Sequence, residues 1–262
     1  MRRSFARECP HAPVLAGLLA ATVLAAVPAR AAAADADRPP LVWEKLGPGI
    51  ERATLHGRDG AGPVLLLRFA LKAYQAEIAV GDGWPPRLAT AAELRRHRGA
   101  VAAVNGGFFD ERHRPLGLRL VQGRPRVPFR RKVDWGVLLL EGGKARIVHS
   151  RDLPAQPSAL GAIQVGPRLV VAGKALKLKP QWARRTAVAL DSGGGALTLV
   201  IADTPVEANE LAARLAASGF DSALMLDGGP STQLSLAHGD IEVDIPGGYP
   251  VPDLLLIISA DR

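Results

Sequence analysis

Cysteine is almost missing from this 262-residue chain: there is one, Cys9, close to the N-terminus. Beyond it no disulfide and no cysteine-based metal site or nucleophile can form. A domain that follows must be stable through its core alone, and about 230 residues suffice for one large domain or two small ones. Past the N-terminal segment there is also no apolar run approaching the roughly 20 residues of a membrane-spanning helix. Several chemical signatures are absent as well. Gly229-Pro230-Ser231-Thr232-Gln233 lacks the second glycine of a G-x-S-x-G nucleophile elbow. No Walker loop occurs, and the glycines at 193–195 after Asp191 run into a strand pattern rather than a helix. His56, His97, His113, His149 and His238 are scattered without metal-ligand spacing.

What is present begins with an export pattern. Arg2, Arg3 and Arg7 precede an uncharged stretch, 14–27, of Val, Leu, Ala and Gly broken only by Thr22. Pro28 and Ala29-Arg30-Ala31 then give a small-x-small cleavage pattern. The expectation is a signal peptide over 1–31, a linker over 32–40 and a folded domain over 41–262. The protein would be exported, to the periplasm or the medium, with no stable membrane span once the signal is cleaved. An uncleaved anchor is the alternative, and the stretch is short for one. Cys9 precedes the apolar stretch, so it is not placed to carry a lipid on the mature chain. The whole chain has 33 Lys and Arg against 25 Asp and Glu. Removing 1–31 takes four arginines and one glutamate, leaving 29 against 24 and a net charge of +5. Export and the separation of the basic clusters (95–98, 130–132, 184–185) argue against a nucleic-acid partner. Solvated surface charge or a site for an anionic phosphate ester or acidic glycan are the readings that stand.

With 28 Gly and 21 Pro, strands joined by turns should dominate. Strands are predicted at 64–71, 75–80, 101–104, 117–121, 135–140, 145–149, 186–190, 197–202, 223–226, 233–236, 241–245 and 254–258. Hairpin turns are expected at 141–144 and 192–195, where glycine adopts positive φ at little cost. A capping box, Thr90 to Glu93, opens a short helix to about Arg98. A second helix is expected with Thr204 as cap, Pro205 in its first turn, Glu207 closing the box and Gly219 ending it. Ala208, Leu211, Ala212 and Leu215 form its apolar stripe. The predicted fold is α+β: a single strand-rich domain with mixed sheets and two main helices.

Two segments deliver polar groups straight after an apolar strand. In the first, Asn105 ends a strand and is followed by Gly106, Gly107, Phe108, Phe109 and Asp110. Its amide both donates and accepts, and the glycines let a ligand or another backbone approach. A turn with both phenylalanines in the core is the plainer reading. In the second, Asp227 follows a strand and precedes Gly228, Gly229, Pro230, Ser231 and Thr232. Exposed N–H groups and hydroxyls there suit an anionic or hydroxylated ligand, while Asp227 as a simple turn former is the alternative.

Asn-Gly-Gly-Phe-Phe, then Arg185-Thr186-Ala187 opening a strand, then a helix followed by Leu-Asp-Gly-Gly-x-Ser-Thr, resembles the phosphodiester glycosidase family. The similarity runs in order from about residue 98 to the C-terminus and includes Gly166-Pro167-Arg168-Leu169-Val170. Pro230 stands where the family usually has a third glycine, Gly248 or Tyr249 where it has an arginine, and Asp253 where it has an asparagine. The resemblance implies hydrolysis of a sugar-1-phosphodiester in a phosphorylated, exopolysaccharide-type carbohydrate, giving a free sugar and a phosphomonoester. Glycosidases ordinarily use two carboxyl groups, one to protonate the leaving oxygen. A phosphodiester departs without that help and needs charge stabilisation instead, which Arg185, or Arg184 in its place, would supply. Asp227 is then the expected base or nucleophile and Asp110 the second carboxylate. Asn105, Gly106, Gly107, Arg185, Thr186, Gly228, Gly229, Ser231 and Thr232 would bind substrate. No cofactor is expected, and a divalent metal stays open. The competing classes are a non-catalytic polysaccharide binder and a metal-dependent phosphodiesterase cutting P–O, with Asp110, Asp191, Asp203 and Asp227 as hard ligands.

Overall fold

Short apolar runs punctuated by glycine and proline become strands in the computed structural model, which describes residues 41–57, 62–81, 87–154 and 157–261. The expected signal peptide and linker lie outside these residues. The first half holds β1 (Glu44–Gly47), β2 (Ile50–Leu55), β3 (Val64–Ala70), β4 (Tyr74–Val80), α1 (Ala91–Arg98) and β5 (Ala102–Asn105). Next come β6 (Arg119–Val121), β7 (Arg124–Val127), β8 (Gly136–Leu140), β9 (Ala145–His149), β10 (Gly161–Val165), β11 (Arg168–Val171) and β12 (Lys174–Ala175). The last third holds β13 (Trp182–Leu190), β14 (Ala196–Glu207), α2 (Ala208–Ala217), β15 (Ser222–Met225), β16 (Leu234–His238), β17 (Ile241–Ile245) and β18 (Asp253–Ser259).

The strands form an eight-stranded sheet in the order β1-β2-β3-β14-β13-β15-β11-β12 and two five-stranded sheets, β7-β6-β10-β8-β9 and β17-β16-β5-β18-β4. One central core joins all three, with Phe69, Leu138, Ile163, Leu199, Leu224 and Leu255 wholly buried in it. Strand alternation sends the other side chains of the large sheet outwards. Leu66, Ala187, Val200 and Ala223 meet Leu211, Ala212 and Leu215 of α2 on its far face. Similarly α1 covers the outer face of the sheet containing β5, where Ala91 packs with Ala103 and Leu256. Strands buried on both faces read as unbroken apolar runs rather than alternating ones.

The two helices and the strand-rich character agree with the expectation, but the sheets are not mixed. Every ladder among the described residues is antiparallel. The helix that could have made a parallel crossover, α2, links β14 to β15, and β13 lies between those two strands and pairs with both. The helices are outer covers, and the fold is mostly β. The start of α2 also differs from expectation. Thr204 and Pro205 belong to β14, and Glu207 is the cap, accepting from the Glu210 N–H. Beyond residue 201 no pairing of β14 with β3 is recorded, and its ladder with β13 shifts across 203–205. Proline, which cannot donate to a ladder, fits such an irregular edge. By contrast, Thr90 and Glu93 form the capping box as expected, and Gly99 ends α1 in the left-handed region. The hairpin at 141–144 closes through the Glu141 N–H to the Lys144 carbonyl, with positive φ at Gly142 and Gly143.

Leu199 sits in the middle strand ladder of the large sheet and has no exposed surface. Leu199→Ala is expected to cost about 2–5 kcal/mol of stability, read as a lowered urea midpoint with an unchanged denaturant slope.

Candidate active site

The ends of β5, β15 and β18 meet beside Thr186 of β13, held there by a buried ion pair. Arg119 of β6 donates through Nε to Asp253 at 2.9 Å, and neither side chain has exposed surface. The guanidinium is further bonded to the carbonyls of Leu116 (3.1 Å) and Gln164 (3.1 Å), and to that of Phe108 (3.3 Å). Asp253 also accepts from the Gly107 N–H at 2.7 Å. Burial pushes its carboxyl up, against the opposing pull of Arg119 and of that N–H. This packing explains Gly106 and Gly107. A Cβ on Gly106 would lie 1.7 Å from Asp253 Oδ1, and one on Gly107 would lie 2.4 Å from Arg119 Nη2. The close approach that the two glycines permit is to the protein's own ion pair.

Asn105 is the second tie. Its Nδ2 donates to the Asp227 carbonyl at 2.8 Å and weakly to that of Gly106 at 3.3 Å. Its Oδ1 accepts from Thr186 Oγ1 at 2.7 Å and from the Gln233 N–H at 3.2 Å. The amide is thus taken up by protein partners, so Asn105 and Thr186 tie β5 and β13 to the 227–233 connection rather than face a ligand. Gln233, unnoticed as a functional residue in the sequence, continues this network. Its Nε2 donates to the carbonyls of Ser231 (3.2 Å) and Tyr249 (3.3 Å). Its Oε1 accepts the first N–H of α1, at Ala91, at 2.7 Å.

Asp227 stands at the C-terminal end of β15, half-buried, with Oδ1 accepting the Gly228 N–H at 3.0 Å. Burial raises its pKa above the ordinary aspartate value. The Ser231 hydroxyl and Gly228 N–H partly offset this, Asp253 adds to it and Arg119 opposes it. Gly229 takes φ +61° to open a short 3-10 turn through Ser231, and nothing lies where a Cβ would project. At Gly228 a Cβ would lie 2.8 Å from the Arg184 carbonyl. Ser231 is fully buried and lies 3.2 Å from the Tyr249 hydroxyl. Tyr249 meets Phe109 edge-on, and Phe109 stacks on His113. Phe108, by contrast, turns inwards onto Trp135 and the central core.

The other expected charged residues are placed differently. Asp110 accepts from the N–H groups of Arg112 and Arg114 and pairs with the Arg114 side chain, which holds its carboxyl below the usual range. It is a turn carboxylate and does not meet Asp227 in any bond. Arg185 is buried, donating to the carbonyls of Val206 and Gln181 and to the Met225 sulfur. Desolvation lowers its pKa, and its Cδ passes 3.9 Å from where a Gly228 Cβ would stand. Arg184 projects from the alternate face of β13, partly exposed, to Asp203 and the Pro246 carbonyl. Its Nε and the Thr232 hydroxyl are the buried side-chain polar atoms without a hydrogen-bond partner among the described residues. Among those residues no three His, Cys, Asp or Glu side chains gather as a metal site would require. Two cavities, of about 490 and 760 Å³, border β4 and do not include the Asp227 loop.

Comparison with known proteins agrees on the region concerned. The family model described as phosphodiester glycosidase matches residues 98–258. No curated protein sequence matches the chain. Among solved structures, the catalytic domain of zebrafish N-acetylglucosamine-1-phosphodiester alpha-N-acetylglucosaminidase, auto-inhibited by its pro-peptide, is similar at a TM-score of 0.60 and 17% identity. The match covers 86% of this chain and 85% of that one. A hypothetical protein from Synechocystis gives the same TM-score and identity, with 86% of this chain covering 64% of it. A Burkholderia pseudomallei protein assigned as exported is similar at a TM-score of 0.56 and 15% identity, over 79% and 74% of the two chains.

Two stability outcomes follow from the ties. Arg119→Leu strands Asp253 in the interior and is expected to cost about 3–5 kcal/mol, with part recovered when Asp253→Asn is added, as measured by urea denaturation. For Asp227 the folded state raises the pKa, so its contribution to stability is intact at low pH and is lost as pH rises through the folded-state value. Asp227→Asn is therefore expected to melt higher than wild type at neutral pH, with the gap closing on acidification.

Proposed function

The chain belongs to the phosphodiester glycosidase family, and from this we propose that it hydrolyses the glycosidic C–O bond of a sugar-1-phosphodiester in a phosphate-linked glycan. The observation that carries the reading is the inventory of carboxylates. At this edge Asp253 is committed to Arg119 and Asp110 to Arg114. Among the described residues Asp227 has no cationic partner within ion-pair distance, and burial raises its pKa. A site with one uncommitted carboxylate suits a leaving group that departs without protonation, where an ordinary glycoside would need a second carboxyl as acid.

In this reading Asp227 takes the proton from water as it attacks the anomeric carbon, or itself attacks that carbon and is later released by water. Either way the water oxygen ends on the sugar and the phosphate keeps the bridging oxygen. A raised pKa brings the carboxylate nearer the operating pH, where a base both stays available and holds its proton well. The departing phosphate needs cationic donors. Arg184, partly exposed beside the Pro246–Tyr249 segment and with a free Nε, is better placed for that than Arg185. Arg185 instead is taken up by the Val206 and Gln181 carbonyls. Phe109, His113 and Tyr249 offer flat faces against which a sugar ring can pack.

We place the reaction outside the cytoplasm. The export pattern of residues 1–31 supports this, as does the assigned export of the Burkholderia relative. Among the described residues no helix is long and apolar enough to cross a membrane.

Turnover of a sugar-1-phosphodiester in ¹⁸O-water tests the proposal, with label expected in the sugar. Label in the phosphate would make the protein a P–O phosphodiesterase, and binding without product would make it a polysaccharide binder. Asp227→Asn is expected to lower kcat/KM by about 10²–10⁴-fold, and Arg184→Ala by about 10²-fold, while Asp110→Asn stays within a few-fold of wild type.

A further inference from the structure

Side chains along β13 face alternate sides of the large sheet. Ala187 and Ala189 pack on the α2 side, and Arg185 follows them towards Met225 and Val206. Val188 and Leu190 pack in the central core, and Thr186 follows them to Asn105. Arg184 continues that second row to Asp203 and the Pro246 carbonyl. Trp182 is the next member of the row. The nearby irregularity lies in β14, where 203–205 stand opposite Arg184, so β13 keeps its alternation to its first residue. Residues two apart on a strand are separated by roughly 6.4–6.8 Å. Thr186 is bonded to Leu226 through its carbonyl, and the Arg184 carbonyl packs on Gly228. The indole therefore stands one step beyond the guanidinium, on the side away from Thr186.

Trp182 is 62% exposed, and the other exposed aromatic side chain among the described residues, Tyr249, is 40% exposed. Arg184 links the two. Trp182 precedes it on β13, and its Nη2 donates at 3.1 Å to the carbonyl of Pro246, at the start of the segment that carries Tyr249. That segment is docked on the Asp227 loop by the Gly248 N–H, bonded to the Pro230 carbonyl at 2.7 Å. Two flat faces thus accompany one partly exposed cation, whose Nε has no partner among the described residues. The surroundings of the indole are polar. Glu207 stands opposite it in β14, and the Asp203 side chain is 60% exposed. An acyl chain needs a continuous apolar patch. A sugar ring instead offers an apolar C–H face to the indole and hydroxyls to the polar groups beside it.

We propose that Trp182 is the platform for a second sugar ring, the one left esterified to the phosphate, so that the substrate is a phosphodiester joining two sugars. This rests on the reading of Arg184 as the cation that meets the phosphate. The sugar that is released packs on the Tyr249 side, the phosphate lies at Arg184, and the ring beyond it lies on Trp182. The spacing of the row suits this order, because the ring follows the phosphate by a single ester oxygen. Trp182 touches no reacting atom. Its contact is the same before and during C–O cleavage, so its effect falls mainly on KM.

Two diesters of the same donor sugar test this, one carrying a second sugar on the phosphate and the other a methyl group. In wild type, kcat/KM is expected to favour the sugar ester about tenfold, mostly through KM. Trp182→Ala should bring that ratio close to one, and so should Trp182→Thr, a good strand former without a ring. Arg184→Ala should lower both substrates together and leave the ratio standing. A ratio unchanged in either folded Trp182 variant overturns the proposal, as does a wild-type ratio near one. A nucleoside ester preferred over the sugar ester, with that preference lost in Trp182→Ala, assigns the platform to a base and also overturns it. The leaving product gives a reading that needs no turnover. In calorimetric titration a sugar phosphate should bind wild type about tenfold more tightly than Trp182→Ala, whereas methyl phosphate should not tell the two apart. Equal binding of the sugar phosphate to both overturns the proposal. A wild-type protein that cleaves no sugar-1-phosphodiester, yet shows this difference in binding, overturns the glycosidase reading and leaves the sugar platform intact.

Discussion

Everything at the candidate site hangs on one buried ion pair. Arg119 and Asp253 come from strands of different sheets, and their side chains are wholly withdrawn from water. Such a pair repays its desolvation only when its remaining donors and acceptors are also satisfied. Here they are met by the carbonyls of Phe108, Leu116 and Gln164 and by the Gly107 N–H. The charges therefore act as a template on which the irregular segment after β5 is laid. They also dictate its composition, since side chains at 106 and 107 would strike the pair itself.

Above this template lies a layer of neutral hydrogen bonds. Asn105 and Gln233 together contact the Asp227 loop, β13, the Tyr249 segment and α1. Side-chain amides suit that role because each both donates and accepts in a fixed plane. The outcome is a rigid frame around one carboxylate left without a cation. Burying Asp227 costs stability, a cost that its proposed role as base or nucleophile would account for. Groups with displaced pKa values recur at functional sites for this reason.

Much of this could be read in the sequence, and the gaps have physical causes. The strands, the α1 capping box, the α2 stripe and both Gly-Gly segments were legible because each is a local pattern. The start of α2 was misread because Thr204, Pro205 and Glu207 mimic a helix opening, while β14 continues through them on its pairing with β13. β1, β2, β7, β10, β11 and β12 were not among the predicted strands. Asn105 and Asp227 were singled out, but what Gly106 and Gly107 make room for was not: one faces Asp253, more than a hundred residues on, and the other the Arg119 guanidinium of another strand. Asp253 appeared in the sequence only as a departure from a family pattern, and Arg119 only as a charge within an apolar strand. Their partnership is a tertiary fact. Arg185 was expected as the cation, yet its guanidinium is taken up by the Val206 and Gln181 carbonyls.

The bond from the first N–H of α1 to Gln233 has a further consequence. The helix lies on the outside of its sheet and is only eight residues long, a place where native proteins open first. Gln233 grips that helix with one end of its amide and the Ser231 and Tyr249 carbonyls with the other. Fraying of α1 frees the gripping oxygen and lets the amide rotate, loosening both carbonyls together. Amide hydrogens of the helix start and of the Ser231 turn are therefore expected to share an opening event. The order of the chemical site is coupled to the integrity of a surface helix that contributes no side chain to it.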